Sequence, residues 1–280
     1  MIVRTVNYSS TVAPSHLTES LVSSGFAVIE NHPISHKLIS QAYDDWKSFF
    51  ESEDKFKYRF KESDQAGYFP LTVSETAKGY SAKDIKEFYS YYDWAPHPQR
   101  IGPSTHQLYK ELLELGKTFL GWIEGETPHR VRTSLSEPLS QMIENSRQNM
   151  MRIIHYPPLT GEEAPQAVRA APHEDINLIT LLPASTAAGL QVKDVAGNWI
   201  DIECDPGSII VNTGDMLDLV TDGFYKATTH QVLNPSGDMA KLSRYSMPFF
   251  LHPRSEVQLS PSKTAGDYLT ERLRELGLKT

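Results

Sequence analysis

The chain has almost no cysteine. Cys204 stands alone among 280 residues, so no disulfide can form within the chain and nothing ties the fold to an oxidising compartment. Its neighbours Glu203 and Asp205 disfavour a thiolate, and it reads as an inert thiol, not a nucleophile. Long apolar runs are missing as well: none approaches the roughly 20 residues that a bilayer crossing requires. The first residues, Met1 to Asn7, lack the charged-then-apolar pattern of a secretory signal. The expected location is the cytosol, with no membrane partner. Positive charge is in deficit, with 27 Lys and Arg against 35 Asp and Glu and a net charge of −8. No basic tract follows residue 100, which argues against nucleic acid as a partner. The run Lys55 to Lys61 alternates basic and aromatic residues. It could suit a nucleic-acid strand, but an amphipathic surface strand or helix edge is the expected reading.

What is present is an ordinary core-forming composition, 39% hydrophobic and 22% charged, in a chain long enough for one large or two small domains. Ser15 to Ser24 reads as a short helix closed by Gly25, followed by an apolar strand, Phe26 to Ile29. Leu38, Ile39, Ala42, Trp46, Phe49 and Phe50 recur at helical spacing, and such an aromatic stripe reads as core. Residues 62 to 103 are rich in Gly and Pro and read as irregular. A second long helix follows, with Ser104 and Gln107 as a capping box and Leu108, Leu112, Leu115, Phe119 and Trp122 on one face.

After about residue 148 the pattern changes to short β-type runs: Met151 to Tyr156, Ile176 to Leu182, Gly189 to Val192, Trp199 to Ile202, Ser208 to Val211, Thr228 to Leu233, Tyr245 to Leu251 and Val257 to Leu259. Turn residues separate them, and many short strands at this spacing predict a sandwich or barrel, with a jelly roll as the natural candidate. Asp267 to Leu276 reads as an amphipathic C-terminal helix. The expected fold is α+β with a mainly β core, a jelly roll flanked by N-terminal helices and a C-terminal helix. Residues 1–125 form a mixed helix and strand region and 126–280 the β-rich region, together one catalytic unit.

The residues that carry chemistry cluster in the second half. His173 and Asp175 lie two apart, the only such His-x-acid pair in a chain with ten histidines. In a strand, such residues share a face, so both can reach one metal while Glu174 points away. A histidine, an aspartate and a distant histidine form the ligand set of a mononuclear iron(II) site with open positions. The distant histidine is His230 or His252. His252 precedes Pro253 at a strand end, where a surface position is expected, whereas His230 sits within a β-type run and is favoured. Arg244 and Ser246 repeat the same-face spacing. Arginine holds a carboxylate with a planar fork, so the pair suits the distal end of a dicarboxylic 2-oxo acid. Arg132-Thr133-Ser134 has the same pattern but lies in the helical half.

These stretches resemble the isopenicillin N synthase-like branch of the 2-oxoglutarate/iron(II) dioxygenases. The matching segments are His173 to Thr180, Gly189 to Val192, Asn212 to Leu217, Tyr225 to His230 and Arg244 to Ser246, with Gly25 to His32 matching in the N-terminal half. The resemblance implies a double-stranded β-helix with Fe(II) on His173, Asp175 and His230. It implies 2-oxoglutarate on Arg244 and Ser246, with the Tyr156 phenol donating to it, and O2 as oxidant. The implied reaction oxidises a small organic substrate, by hydroxylation in the first instance, while 2-oxoglutarate and O2 become succinate and CO2. Two positions depart from the family pattern. Gln231 stands where arginine is frequent, and Ile154-His155-Tyr156-Pro157 replaces Asn-Tyr-Tyr-Pro. His155 thus either supplies a polar contact near the cosubstrate or faces away. Two other functions fit the same motifs, an iron oxidase of this fold that needs no 2-oxo acid and a metabolite sensor without turnover. Tyr80, Tyr91 and Phe250 are candidates to line the substrate space, and equally read as core aromatics. No cluster of Lys or Arg marks a strongly anionic substrate. The sequence leaves oligomeric state open.

Overall fold

The computed structural model of the chain describes residues 3–61, 63, 65–73, 83–164 and 166–275. Tyr80 and Leu276 lie outside the described residues. The first half supplies β1 (Arg4–Asn7), α1 (Ala13–Ser24), β2 (Phe26–Glu30), α2 (His36–Phe50), β3 (Gly67–Phe69), β4 (Glu87–Tyr91) and α3 (Pro103–Glu126). Two single-turn helices, α4 (His129–Arg132) and α5 (Leu139–Met142), lead to β5 (Met150–Tyr156). Then come β6 (Ala170–His173), β7 (Ile179–Pro183), β8 (Leu190–Lys193), β9 (Trp199–Asp201), β10 (Ile209–Thr213), α6 (Asp215–Val220) and β11 (His230–Val232). The chain closes with β12 (Arg244–Ser246), β13 (Phe249–Leu251), β14 (Gln258–Ser260), β15 (Lys263–Thr264) and α7 (Ala265–Glu275).

The major sheet runs β1-β2-β10-β7-β13-β5-β4-β3, with β12 also paired to β5, and the minor sheet runs β6-β11-β8-β9. Successive side chains in a strand point to opposite faces, and the major sheet uses both. Ala27, Ile29, Tyr89, Tyr91, Met151, Ile153, Ile179, Leu181, Ile209 and Val211 join the core under α1, α2 and α3. Their alternates Phe26, Val28, Phe88, Ile154, Tyr156, Leu182 and Ile210 pack toward Ala170, Leu190, Val192 and Val232 of the minor sheet. Two sheets sharing one apolar filling give the jelly roll, or double-stranded β-helix, that the strand spacing predicts. Strands β1 to β4 of the first half extend this sheet. Each buried Leu, Ile or Phe contributes about 1.5–3 kcal/mol by leaving water, so the doubly covered sheet carries a large share of the fold's apolar burial.

Several expectations are corrected. The stretch 62 to 103 is not wholly irregular: β3 and β4 lie in it, and every residue of β4 is buried. Its run Glu87-Phe88-Tyr89-Ser90-Tyr91 looks polar because Glu87 and Ser90 are buried with it. The capping box at Ser104 does not form. Gly102 is the N-cap and Pro103 fills the first turn, where a missing N–H costs nothing. The Ser104 hydroxyl donates to Asp45 instead, and Gln107 donates to Glu111 at 2.7 Å. The run from Tyr245 to Leu251 is two strands, divided at Met247-Pro248, because proline cannot donate in a ladder. The strand expected from Ile176 begins at Ile179. The basic and aromatic run at Lys55 falls on a 3-10 helix, Glu53–Tyr58, and Lys55 turns inward to Glu87 at 3.1 Å. Cys204 is a free thiol that burial and Asp205 push up to about 11, in keeping with an inert role.

Candidate metal and cosubstrate site

A cavity of about 1210 Å³ opens between the two sheets and is walled on one side by α7. His173 and His230 face each other across the β6–β11 pair, in direct register. Their rings lie 4.4 Å apart. In each, Nδ1 meets a backbone carbonyl two residues back, Ala171 O at 2.8 Å and Thr228 O at 3.1 Å. A carbonyl can only accept, so Nδ1 carries the proton and Nε2 is left with its lone pair. Those Nε2 atoms stand 3.9 and 3.7 Å from Asp175 Oδ1. One donor atom from each of the three residues falls within 4.8 Å of the others, the only such grouping among the described residues.

Asp175 reaches this point by a different route from the one its spacing suggests. β6 ends at His173, and Asp175 lies in the turn after it. The carboxylate is held from behind. Thr180 Oγ1 and Asn212 Nδ2 donate to Oδ2 at 2.5 and 2.8 Å, and Asn177 Nδ2 braces Thr180 Oγ1 at 3.0 Å. Asp215 N donates to the Asp175 carbonyl at 2.7 Å. Burial opposes charge on Asp175, but His230, His173 and these donors outweigh it and hold the carboxyl below its usual range. Burial, with His230 beside it, holds His173 below its usual value. An anionic carboxylate and imidazole lone pairs are the forms that bind a divalent metal. Glu174 is outside the three-residue grouping, as expected of a non-ligand, but it does not face away: it lines the same cavity and accepts from Thr229.

The second group of expected residues lies on the β5–β12 pair. Arg244 is opposite Tyr156, and Ser246 opposite Ile154. Arg244 is 2% exposed. Its Nε donates to Ala187 O at 2.9 Å and its Nη2 to Ser185 Oγ at 3.0 Å, while Nη1 is buried without a partner. The guanidinium lies 5.0 Å from the Tyr156 ring centroid. All six expected site residues, His173, Asp175, His230, Tyr156, Arg244 and Ser246, line the one cavity. A buried, half-satisfied guanidinium beside a hydroxyl fits the distal carboxylate of 2-oxoglutarate, and a two-imidazole, one-carboxylate set fits iron(II).

Other expectations sort by strand face. His155 alternates with Tyr156 and points to the far side, where it bonds Glu87 at 2.7 Å and Ser243 at 3.0 Å and stacks on Tyr245. It does not line the cavity. Gln231 bonds Gln191 across β11–β8 at 2.9 Å. Tyr91 packs under α3 against Tyr109 and is core, whereas Phe250 does line the cavity. His252 is not at the surface: it is 8% exposed and lines the cavity, with Nδ1 unpartnered, and burial pushes it down to about 4. It is absent from the three-residue grouping, which leaves His230 as the second histidine there. Thr180 and Asn212 stand within the matching motifs, but nothing in the sequence marks them as the braces of Asp175.

Comparison with known proteins agrees with this geometry. The profile of the 2OG-Fe(II) oxygenase superfamily matches residues 147–253, and that of the non-haem dioxygenase in morphine synthesis N-terminal region matches 9–112. Jasmonate-induced oxygenase 4 of Arabidopsis thaliana is 30% identical over 85% of this chain and 67% of its own. The crystal structure of an oxygenase candidate from Shewanella oneidensis is 43% identical, covers 99% of both chains and superposes with a TM-score of 0.89. A 2OG-Fe(II) oxygenase family protein from Caulobacter crescentus is 30% identical over 98% of both chains, with a TM-score of 0.81. The isopenicillin N synthase-like label fits only loosely. Relatives named as 2-oxoglutarate-dependent dioxygenases favour the 2-oxo-acid-dependent reading over an oxidase that needs none. With matches in both halves, the chain belongs to the 2OG-Fe(II) oxygenase superfamily, whose members are enzymes that use iron(II), 2-oxoglutarate and O2.

Proposed function

We propose that His173, Asp175 and His230 hold the iron, that Arg244 and Ser246 hold the distal carboxylate of 2-oxoglutarate, and that the Tyr156 phenol donates to the same molecule. The convergence of two Nε2 lone pairs on Oδ1 of a carboxylate that is braced through its other oxygen, Oδ2, carries the reading. Iron and 2-oxoglutarate, when bound, supply the oxygen-activating chemistry. The chain's own part is to aim and to enclose. Thr180 and Asn212 fix the direction of Asp175. The backbone carbonyls of Ala171 and Thr228 fix the histidine tautomers. Arg244 anchors the far end of the cosubstrate at a depth set by the β5–β12 register.

The substrate we propose is a small organic molecule, oxidised by hydroxylation. The cavity volume suits one, and its free wall combines Met150 and Phe250 with Ser90 Oγ and His252 Nδ1, both buried without partners. Two relatives of Arabidopsis thaliana carry names that state a small molecule, Homoarginine-6-hydroxylase 2-ODD-C23.2 and Gibberellin 2-beta-dioxygenase 3. A Neurospora crassa protein, solved in complex with thymine, shares the fold at 20% identity. Residues 1–125 and 126–280 act as one unit in this reading, supported by the pairing of β2 with β10. A cytosolic location with no membrane or nucleic-acid partner fits the lone cysteine and the net charge of −8.

The test needs no substrate. Iron(II) and then 2-oxoglutarate are added to metal-free protein without oxygen, and the weak visible charge-transfer band of the chelate is recorded. A saturable band supports the assignment. Tight iron binding without a band overturns the cosubstrate half of it, and loss of iron binding overturns the rest.

A further inference from the structure

Arg169 is the most deeply buried cation of the described chain, 1% exposed, and lies four residues before His173. Its backbone is tied down: Arg169 N donates to Asn234 Oδ1 at 2.9 Å. The guanidinium is much less well served. Nη2 donates to Leu242 O at 3.0 Å, Nε is buried without a partner, and no carboxylate pairs with it among the described residues. Its carbon sits 5.9 Å from the centroid of the Tyr156 ring, the same ring that lies 5.0 Å from Arg244. Burial and then Arg244 push its basicity down from the ordinary value, so the two cations sense each other.

Two guanidiniums held out of water on one aromatic ring, neither with a carboxylate partner among the described residues, are an uncompensated arrangement. A buried charge without an opposite partner costs several kcal/mol, and a like charge beside it adds to that cost. The arrangement becomes favourable when an anion enters between the sheets at this end of the cavity. We propose that Arg169 is a specificity-determining positioning residue. In this role, its charge, delivered across Tyr156, reinforces Arg244 and makes the site select a 2-oxo acid with a second, distal carboxylate over one that ends in a methyl group. The proposal rests on Arg244 as the distal anchor. Arg169 itself is absent from the cavity lining, so it acts through the field and through the ring, not by touching the ligand.

A residue that only props up the loop at Leu242 would weaken every 2-oxo acid alike. Selection is therefore the readout. The concentrations of 2-oxoglutarate and of 2-oxovalerate that give half the charge-transfer band are measured anaerobically on the iron-loaded protein. 2-Oxovalerate has the same chain length with a methyl in place of the distal carboxylate. In Arg169→Gln, which removes the charge and keeps a polar amide, the preference for 2-oxoglutarate falls at least tenfold. In Arg169→Lys, which keeps the charge, it stays within about threefold of the unaltered protein. An unchanged preference in Arg169→Gln overturns the proposal, whether or not both affinities drop. Equal losses of preference in the Gln and Lys variants also overturn it. The band of the unaltered protein with 2-oxoglutarate tests the underlying cosubstrate reading separately.

Discussion

Replacing Arg244 by methionine should weaken ligand binding strongly while leaving stability almost unchanged. The side chain is buried, makes two hydrogen bonds through Nε and Nη2, and leaves Nη1 bare. Hydrogen bonds to a charged group contribute about 1.5–3 kcal/mol each, so the two bonds offer roughly 3–6 kcal/mol. Against this stands the effective cost of burying a guanidinium with no carboxylate, several kcal/mol. The two nearly cancel, and an apolar chain of similar volume against Tyr156 restores packing. Arg244→Met is therefore expected to melt within a few degrees of the unaltered apo-protein, or above it. Its 2-oxoglutarate affinity should fall by about 2–5 kcal/mol, the range for stranding a paired charge, which is a loss of roughly 30-fold to several thousandfold. Calorimetry on the apo-protein gives the first quantity, and titration of the charge-transfer band gives the second. A melting temperature that collapses while 2-oxoglutarate affinity stays within threefold would refute the reasoning, because Arg244 would then be a structural cation.

Three further changes test other parts of the structure. Asn212→Leu removes one of the two braces on Asp175 Oδ2 and should weaken iron binding about 10- to 100-fold, measured by competition with a chelator; unchanged affinity would dismiss the brace. Gly25→Ala should destabilise by more than about 1 kcal/mol: φ is +71°, and a Cβ would sit 2.2 Å from Thr228 Oγ1. A thermal melt matching the unaltered protein would contradict it. Glu87→Gln should cost about 3–5 kcal/mol at neutral pH by stranding Lys55. Burial works against charge on Glu87, but His155, Tyr68 and Lys55 prevail and lower its pKa. A lowered carboxyl stabilises above its unfolded value, near 4.5, and loses that contribution as pH falls through the folded value. The gap between the two proteins should thus close in acid, and denaturant midpoints that stay equally far apart at pH 3 and pH 7 would contradict this.

Much of the site is legible in the sequence because its chemistry is carried by residue types that have few substitutes. Imidazole and carboxylate at His173, Asp175 and His230, and guanidinium at Arg244, announce themselves at any spacing that lets them converge. The fold follows from period-two apolar runs such as Met151 to Tyr156. The failures come where burial runs against residue type. β4 is hidden because Glu87 and Ser90 are polar yet buried, and His252 suggests the surface only because it precedes a proline. Arg169 carries no signal, since a buried cation looks in sequence like any exposed one. The alternation that turns His155 away from the cavity and Tyr156 into it depends on which face of β5 meets the helices. That choice is made by partners more than 50 residues distant in the chain.

The division at Met247-Pro248 has an evolutionary consequence. Arg244, the proposed cosubstrate anchor, and Phe250 and His252, on the proposed substrate wall, come from one ribbon that changes neighbours at the proline. β12 pairs with β5 alone, while β13 pairs with both β5 and β7. An inserted or deleted residue before the proline would shift the anchor and spare the far wall, and one after it would do the reverse. The kink thus separates two inheritances on a single stretch of chain. A lineage can redraw what it oxidises while keeping unchanged the means by which it oxidises.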